Sequence, residues 1–158
     1  MSRMTPAEAA DHAEIAQLLQ RYGQALDEKR YELLDTVFVP GAALRYEMEG
    51  GRPSTYPEML KLFAEFNSAF WYTQHMFSNP VLELDGERAR SVCRLFASHV
   101  QQPLAGGRNL WVVYGVYHDR LVRRPEGWRI EERVFRGLHT EGSLLPPDKV
   151  RRFDAAPG

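Results

Sequence analysis

Apolar residues in the first part of the chain recur at the spacing of one helix face. Thr5 is followed by Pro6 and, three residues after Thr5, by Glu8, which is the pattern of a capping box with proline at the first helical position. This capping box and the apolar face that follows it together predict an amphipathic helix that ends near Asp27. The apolar stripe of this helix consists of Ile15, Leu18, Leu19, Tyr22 and Leu26.

Two further helical segments are predicted before residue 72. A short one spans Tyr31 to Val37, and the pair Pro40-Gly41 is expected to stop it. A strand from Ala42 to Met48 and a turn at Glu49-Gly50-Gly51 should follow. A second capping box, Thr55 to Glu58, then opens a third helix. Its apolar positions are Met59, Leu62, Phe63, Phe66 and Phe70.

The second half of the chain has the period-two alternation and turn residues of strands. Asp85-Gly86 between two such runs is a strong hairpin signal, and Pro125-Glu126-Gly127 marks a second turn. Helices followed by an antiparallel meander predict the α+β class, with a strongly curved sheet and three helices closing its concave side over a cavity. The four predicted strands are Thr73–Leu84, Arg88–Gln101, Asn109–Arg123 and Trp128–Leu138.

Length and composition fit one domain without special partners. The chain has 158 residues, of which 44% are hydrophobic and 26% charged, with a net charge of −1 and a single cysteine. We expect one domain over residues 1–143 and a C-terminal tail over 144–158 that frays at its end and can serve as a lid. The absence of a basic excess, of a long apolar run and of a signal peptide predicts a cytoplasmic protein that binds neither nucleic acid nor membrane.

One face of the predicted sheet carries more apolar residues than a solvent-exposed face normally has. Val92 and Phe96 alternate with the inward positions of their strand and lie beside arginines. Such an open sheet face is typical of a surface that meets a partner. We therefore predict a homo-oligomer, either a dimer or a trimer.

Common nucleotide, zinc and acyl-transfer motifs are missing, so candidate chemistry is judged by position. His99 shares strand parity with apolar inward residues, and this spacing alone favours a core histidine with a satisfied hydrogen bond. His75 enters the first long strand, and either a proton-transfer role or a surface position is open, because histidine titrates near neutral pH. Asp27 closes the first helix at the unfavourable end of its dipole, where it is either solvated or paired with a histidine.

Two tyrosines and one metal hypothesis complete the candidates. Tyr22 lies on the apolar stripe, so core packing is its default, whereas Tyr46 alternates with a strand leucine; either hydroxyl could face a cavity. His75, His99 and Asp27 also have the composition of a two-histidine, one-carboxylate iron site.

Three segments in a fixed order resemble one family. They are Ile15–Tyr22 with Leu26-Asp27, then Thr73-Gln74-His75-Met76, then Tyr117-His118-Asp119 with Gly127-Trp128-Arg129-Ile130. Their order and spacing, over about residues 8–140, resemble the SnoaL-like family of the nuclear transport factor 2-like superfamily. The likeness is strongest to its branch of scytalone dehydratase and bile acid 7α-dehydratase.

The resemblance implies a cone-shaped α+β barrel and a set of site residues. It gives Asp27 and His75 the catalytic positions, and it gives Tyr22, Tyr46 and His99 contacts to the substrate. Phe77 and Trp111 are expected as apolar neighbours in the same cavity. The third-strand residues Tyr114-Gly115-Val116 differ from those of scytalone dehydratase, which argues against scytalone as the substrate.

The resemblance also implies a metal-free pocket, so we predict no metal and do not favour the iron site. The function expected from this resemblance is a cofactor-free lyase. It would eliminate water from a small hydrophobic cyclic or polycyclic hydroxy-ketone, with histidine as the base and aspartate holding its tautomer. The alternatives are an isomerase or cyclase that uses the same base, and a non-catalytic ligand-binding or partner subunit like the small subunit of ring-hydroxylating dioxygenases. The fold alone does not choose between them.

Overall fold

The computed structural model describes residues 3–47 and 51–157, which form a seven-stranded sheet with helices on its concave side. The predicted α+β architecture is confirmed. The helices are α1 (Pro6–Asp27), the 3₁₀ helix η1 (Tyr31–Thr36), α2 (Tyr56–Asn67) and the 3₁₀ helix η2 (Pro147–Lys149). The strands are β1 (Phe38–Tyr46), β2 (Pro53–Thr55), β3 (Tyr72–Phe77), β4 (Val81–Asp85), β5 (Arg88–Gln101), β6 (Asn109–Arg124) and β7 (Gly127–Gly142).

Both predicted capping boxes begin their helices. The Glu8 carboxylate accepts from the Thr5 backbone N–H at 2.7 Å, and the Glu58 carboxylate accepts from the Thr55 N–H at 2.8 Å. Each bond satisfies one of the backbone donors that a helix start leaves free. The second segment is a 3₁₀ helix of six residues rather than an α-helix, and α2 ends before Phe70, which therefore packs from the following loop.

The strand order is β2-β1-β7-β6-β5-β3, with β4 also paired to β5. The hairpins β5–β6 and β6–β7 are antiparallel as predicted. The expectation of a wholly antiparallel sheet is wrong, because β1 pairs with β7 in parallel. β1 also begins at Phe38 rather than at Ala42. Pro40 and Gly41 do not end the preceding segment; they lie in the strand where its register shifts, and Gly41 has a φ of 76°.

The predicted strand Thr73–Leu84 is two strands. Pro80 lies in the gap between β3 and β4 and has no N–H to donate to a ladder. Within the gap, Ser78 N–H donates to the Arg94 carbonyl at 3.0 Å, and the Ser78 hydroxyl accepts from the Arg94 N–H at 3.0 Å. The turn predicted at Glu49-Gly50-Gly51 falls, apart from Gly51, outside the described residues.

Strand parity sets the two faces of the sheet. On β5 the inward residues Cys93, Leu95, Ala97 and His99 are buried, as their alternation predicted. Val92 on the opposite face is 40% exposed. The inward side chains pack against α1 and α2, so the core and any enclosed site lie between the helices and the concave face.

The C-terminal residues pack along one end of this layer. Val150 is buried and bridges to Pro103. Further on, the Phe153 N–H donates to the Ser68 carbonyl at 2.8 Å, and Lys29 Nζ donates to the Phe153 carbonyl at the same distance. The tail thus connects the end of β5 to the loop after α2 and to the end of α1. Within the described residues, no helix is long and apolar enough to cross a membrane.

Candidate active site

Asp27, the last residue of α1, has its carboxylate fixed by three hydrogen bonds from β3. Oδ1 accepts from the Thr73 hydroxyl at 2.9 Å, and Oδ2 accepts from the backbone N–H of His75 at 2.9 Å. Oδ1 also lies 2.6 Å from Nδ1 of the His75 ring. Helix packing against β3 therefore supplies the donors that offset the unfavourable dipole at the end of α1.

His75 is held in one tautomer by this contact. A carboxylate only accepts hydrogen bonds, so the proton of the neutral ring lies on Nδ1. Nε2 then carries the free lone pair, which is the arrangement a general base needs. The side chain of His75 is 6% exposed, and that of Asp27 is 23% exposed. The pair thus lies at the edge of the interior.

His75 lines an apolar cavity of about 180 Å³ between α2 and the sheet. Aromatic and aliphatic side chains provide most of its wall. Four polar side chains also reach it, and they come from four different elements. The polar members are Tyr46, Asn67, His75 and His99, and the apolar members are Leu26, Phe63, Phe66, Leu95, Ala97, Trp111, Val113, Phe135 and Leu144.

His99 lies beside His75 on the wall of this cavity, with the two rings edge to face and their centroids 5.5 Å apart. It is packed against Phe70 and Trp111, each 4.9 Å away between centroids. Burial, together with the neighbouring His75, lowers the pKa of His99 to about 3. Its Nδ1 has no hydrogen-bond partner within residues 3–47 and 51–157. His99 is therefore a buried, neutral ring on the cavity wall.

Tyr46 lines the cavity from β1. Its hydroxyl lies 2.8 Å from the hydroxyl of Tyr22, which is not among the lining residues. Burial and the neighbouring Tyr22 raise the pKa of Tyr46 well above its usual value, so the phenol stays neutral. When Tyr22 donates within the pair, the Tyr46 O–H is free to donate to a ligand oxygen.

The sequence of this chain matches one family over most of its length. Residues 7–134 match the SnoaL-like domain. This protein belongs to the SnoaL-like family. The resemblance inferred from its three sequence segments is thereby confirmed. Uncharacterized proteins of Mycobacterium tuberculosis and Mycobacterium bovis are each 38% identical to it over 138 residues, which cover 84% of this chain and 89% of theirs.

Solved structures share the SnoaL-like fold at lower identity. A candidate scytalone dehydratase from Novosphingobium aromaticivorans superposes with a TM-score of 0.77 at 21% identity, covering 98% of this chain and all of the other. A hexachlorocyclohexane dehydrochlorinase from Novosphingobium barchaimii gives 0.70 at 17% identity, covering 88% and 97%. At these identities the likeness concerns the fold.

Four of the seven predicted site residues of this SnoaL-like protein line the cavity, namely Tyr46, His75, His99 and Trp111. Asp27 does not line it but contacts His75, and Tyr22 and Phe77 lie outside the wall. Tyr22 lies behind Tyr46, its ring between Phe38 and Tyr117. The Phe77 ring is turned toward α1, where a Cβ on Gly23 would lie 2.7 Å from it. The expectation that these two side chains line the cavity is wrong. Strand alternation and the apolar stripe of a helix indicate that a side chain points inward, but they do not determine which residues it contacts.

Sequence reasoning missed a buried charge pair under the tyrosines. Arg133 and Asp119 are cross-strand partners whose side chains are fully buried and joined by two hydrogen bonds of 2.7 Å. The guanidinium lies 4.3 Å from the ring centre of Tyr22 and 4.2 Å from that of Tyr117. A signal existed, because Asp119 shares strand parity with the inward Tyr117 and Leu121.

Asn67 was also missed. It is 3% exposed at the end of α2 and lines the cavity. The helical pattern of apolar positions gave no signal that this polar residue is buried. Its amide can donate and accept toward a ligand. Among the described residues, no group of three or more His, Cys, Asp or Glu side chains is placed to hold a metal ion.

Proposed function

We propose that this SnoaL-like protein is a cofactor-free lyase that removes water from a small hydrophobic cyclic β-hydroxy-ketone. The observation that carries this proposal is the His75–Asp27 contact of 2.6 Å at the wall of an apolar cavity. Tyr46 lines the same cavity, and we propose its neutral hydroxyl as the hydrogen-bond donor for the ketone oxygen. General base, tautomer-holding carboxylate and oxyanion donor are the groups that such an elimination requires.

In the proposed reaction, Nε2 of His75 removes the proton next to the carbonyl. The electron pair of that C–H bond forms an enolate, whose oxygen receives a hydrogen bond from Tyr46. The Asp27 carboxylate stabilises the imidazolium that results. The enolate then re-forms the carbonyl and a C=C bond, and the C–O bond to the β-hydroxyl breaks. The imidazolium returns its proton to the departing hydroxide, so that the products are an enone and water and His75 is again neutral.

His99 is proposed to bind the leaving hydroxyl. Its neutral ring lines the cavity but cannot act as a strong acid, since burial lowers the pKa of His99 to about 3. The proton therefore travels through His75 alone. The aromatic wall around both histidines excludes water, which strengthens the hydrogen bonds that act on the developing charges.

Variants of the three proposed catalytic groups test this assignment. With a β-hydroxycyclohexanone as probe, enone formation is followed by its ultraviolet absorbance. His75→Ala should lower kcat by about 10²–10⁴-fold, as expected for loss of a positioned base. Asp27→Asn should be nearly as severe because the amide cannot stabilise the imidazolium. Tyr46→Phe should cost less, because it removes one hydrogen bond and leaves the base in place.

A matched control and a double variant sharpen the test. His139, which lies on the outer part of β7 with a 65% exposed side chain, should tolerate His139→Ala without loss of activity. The Asp27→Asn, His75→Ala double variant should be little slower than His75→Ala, since both residues serve one step. Full activity in His75→Ala refutes the lyase. A product of unchanged mass indicates the isomerase or cyclase alternative, and binding without turnover indicates the non-catalytic one.

A further inference from the structure

The cavity that holds the catalytic candidates is small for a ligand site. Its volume of about 180 Å³ lies below the range of roughly 300–1,000 Å³ that is usual for such sites. An apolar cavity of roughly 150 Å³ holds one benzene molecule. The inner cavity therefore accommodates a single ring with small substituents, and a larger substrate needs space elsewhere.

A second cavity of about 300 Å³ adjoins it, between the outer side of α2 and the C-terminal tail. The two cavities share Phe66 and Leu144 as wall residues, so these side chains form the partition. Beyond the partition most of the wall is apolar; Gln101 is its buried polar member, and the charged Glu65 and Arg152 are exposed to solvent. Its apolar members are Leu62, Phe66, Ala69, Leu144, Leu145 and Pro147.

At Leu144 the backbone of the partition is held in place, whereas the side chain is partly exposed. The fully buried Gln101 fixes the backbone beside Leu144, because its amide accepts from the Leu145 N–H at 2.9 Å and donates to the Leu145 carbonyl at 3.1 Å. Leu144 itself is 43% exposed. A change of the Leu144 rotamer can therefore connect the cavities while the tail stays in place.

We propose that the outer cavity binds an apolar substituent of the substrate, whose ring occupies the inner cavity. The substrate class is then a one-ring β-hydroxy-ketone that carries a short alkyl chain. This inference rests on the proposed function for the identity of the ring, but the binding of the chain does not depend on catalysis. The two cavities together have the volume of an ordinary ligand site. Among the described residues of the outer wall, the buried polar side chain is Gln101, and its amide is already hydrogen-bonded to Leu145 and Asn109, so it does not select a polar substituent.

Binding of unreactive para-alkylphenols tests the outer cavity separately from the reaction. Affinities of phenol, para-ethylphenol and para-butylphenol are measured by isothermal titration calorimetry. Each methylene moved from water into the outer cavity should raise the affinity about three- to fourfold, so the butyl compound should bind about tenfold more tightly than the ethyl compound. The same gain should persist in His75→Ala, which lacks the proposed base.

Two variants alter the outer cavity without touching the inner one. Ala69→Leu fills the space, so the gain from ethyl to butyl should disappear while phenol binding stays unchanged. Leu62 is 48% exposed, and Leu62→Ser removes apolar wall at little risk to folding; it should reduce the gain. The matched control is Leu138→Ser, a 59% exposed leucine on β7 that lines neither cavity and should leave the gain intact.

The outcomes separate this inference from the lyase assignment. Equal affinities along the series in the unchanged protein, or the same gain in both outer-cavity variants, overturn the proposed chain site. A gain that depends on Ala69 in a protein that dehydrates no hydroxy-ketone leaves the chain site standing and removes the lyase. Turnover of the unsubstituted probe without any gain in affinity along the phenol series supports the lyase and overturns the chain site.

Discussion

Burial of His99 should make the stability of this protein fall in mild acid. In the folded state burial lowers the pKa of His99 to about 3, whereas an unfolded histidine titrates near 6.5. His99 is therefore neutral in the folded state. Below pH 6.5 the unfolded chain binds a proton on His99 that the folded chain does not bind. The free energy of unfolding therefore falls as the pH decreases from about 6.5 toward 3.

The size of the effect follows from the two pKa values. One proton of difference changes the free energy of unfolding by about 1.4 kcal/mol per pH unit. Between pH 8 and pH 5 the loss due to His99 is about 2 kcal/mol, which is a large fraction of the stability of an ordinary domain.

Urea unfolding at pH 8 and pH 5, followed by circular dichroism, measures this loss. The reference variant is His99→Phe, whose ring can retain the packing against Phe70 and Trp111. The carboxylates titrate in both proteins, so the difference between their pH dependences isolates His99. His139→Phe changes an exposed histidine and should behave as the unchanged protein. If His99→Phe loses as much stability as the unchanged protein, the proposed exclusion of the proton is refuted.

Three further outcomes are expected. Asp119→Asn leaves the buried Arg133 without its countercharge and should cost about 3–5 kcal/mol in urea unfolding, and a loss below about 1 kcal/mol would contradict that reasoning. Gly23→Ala forces a methyl group against the Phe77 ring and should cost about 1–3 kcal/mol, whereas unchanged stability would show that the ring moves freely. Sedimentation at micromolar concentration should reveal a dimer or trimer, and a monomer would contradict the role predicted for the outer sheet face. That face exposes Met76, Val92 and Leu110.

The sequence by itself determined the local elements and their inner faces. Capping boxes at Thr5 and Thr55 located the starts of both α-helices, because their hydrogen bonds form within four residues of chain. Strand parity gave the inward direction of His99, since alternation is a property of any extended chain. The family likeness gave Asp27 and His75 their catalytic roles, whereas position alone left Asp27 either solvated or paired and His75 either a proton-transfer group or a surface residue.

Only the tertiary structure decided how these elements meet. The parallel pairing of β1 with β7 joins segments far apart in the sequence, and no local pattern encodes it. Tyr22 and Tyr46 both follow inward patterns, yet only Tyr46 lines the inner cavity, because helix and strand packing determines which ring lies in front. The same packing brings Asp27 onto β3 and carries Leu144 to the partition. Periodicity specifies a direction from the backbone, whereas contact depends on the distances between elements that fold from separate parts of the chain.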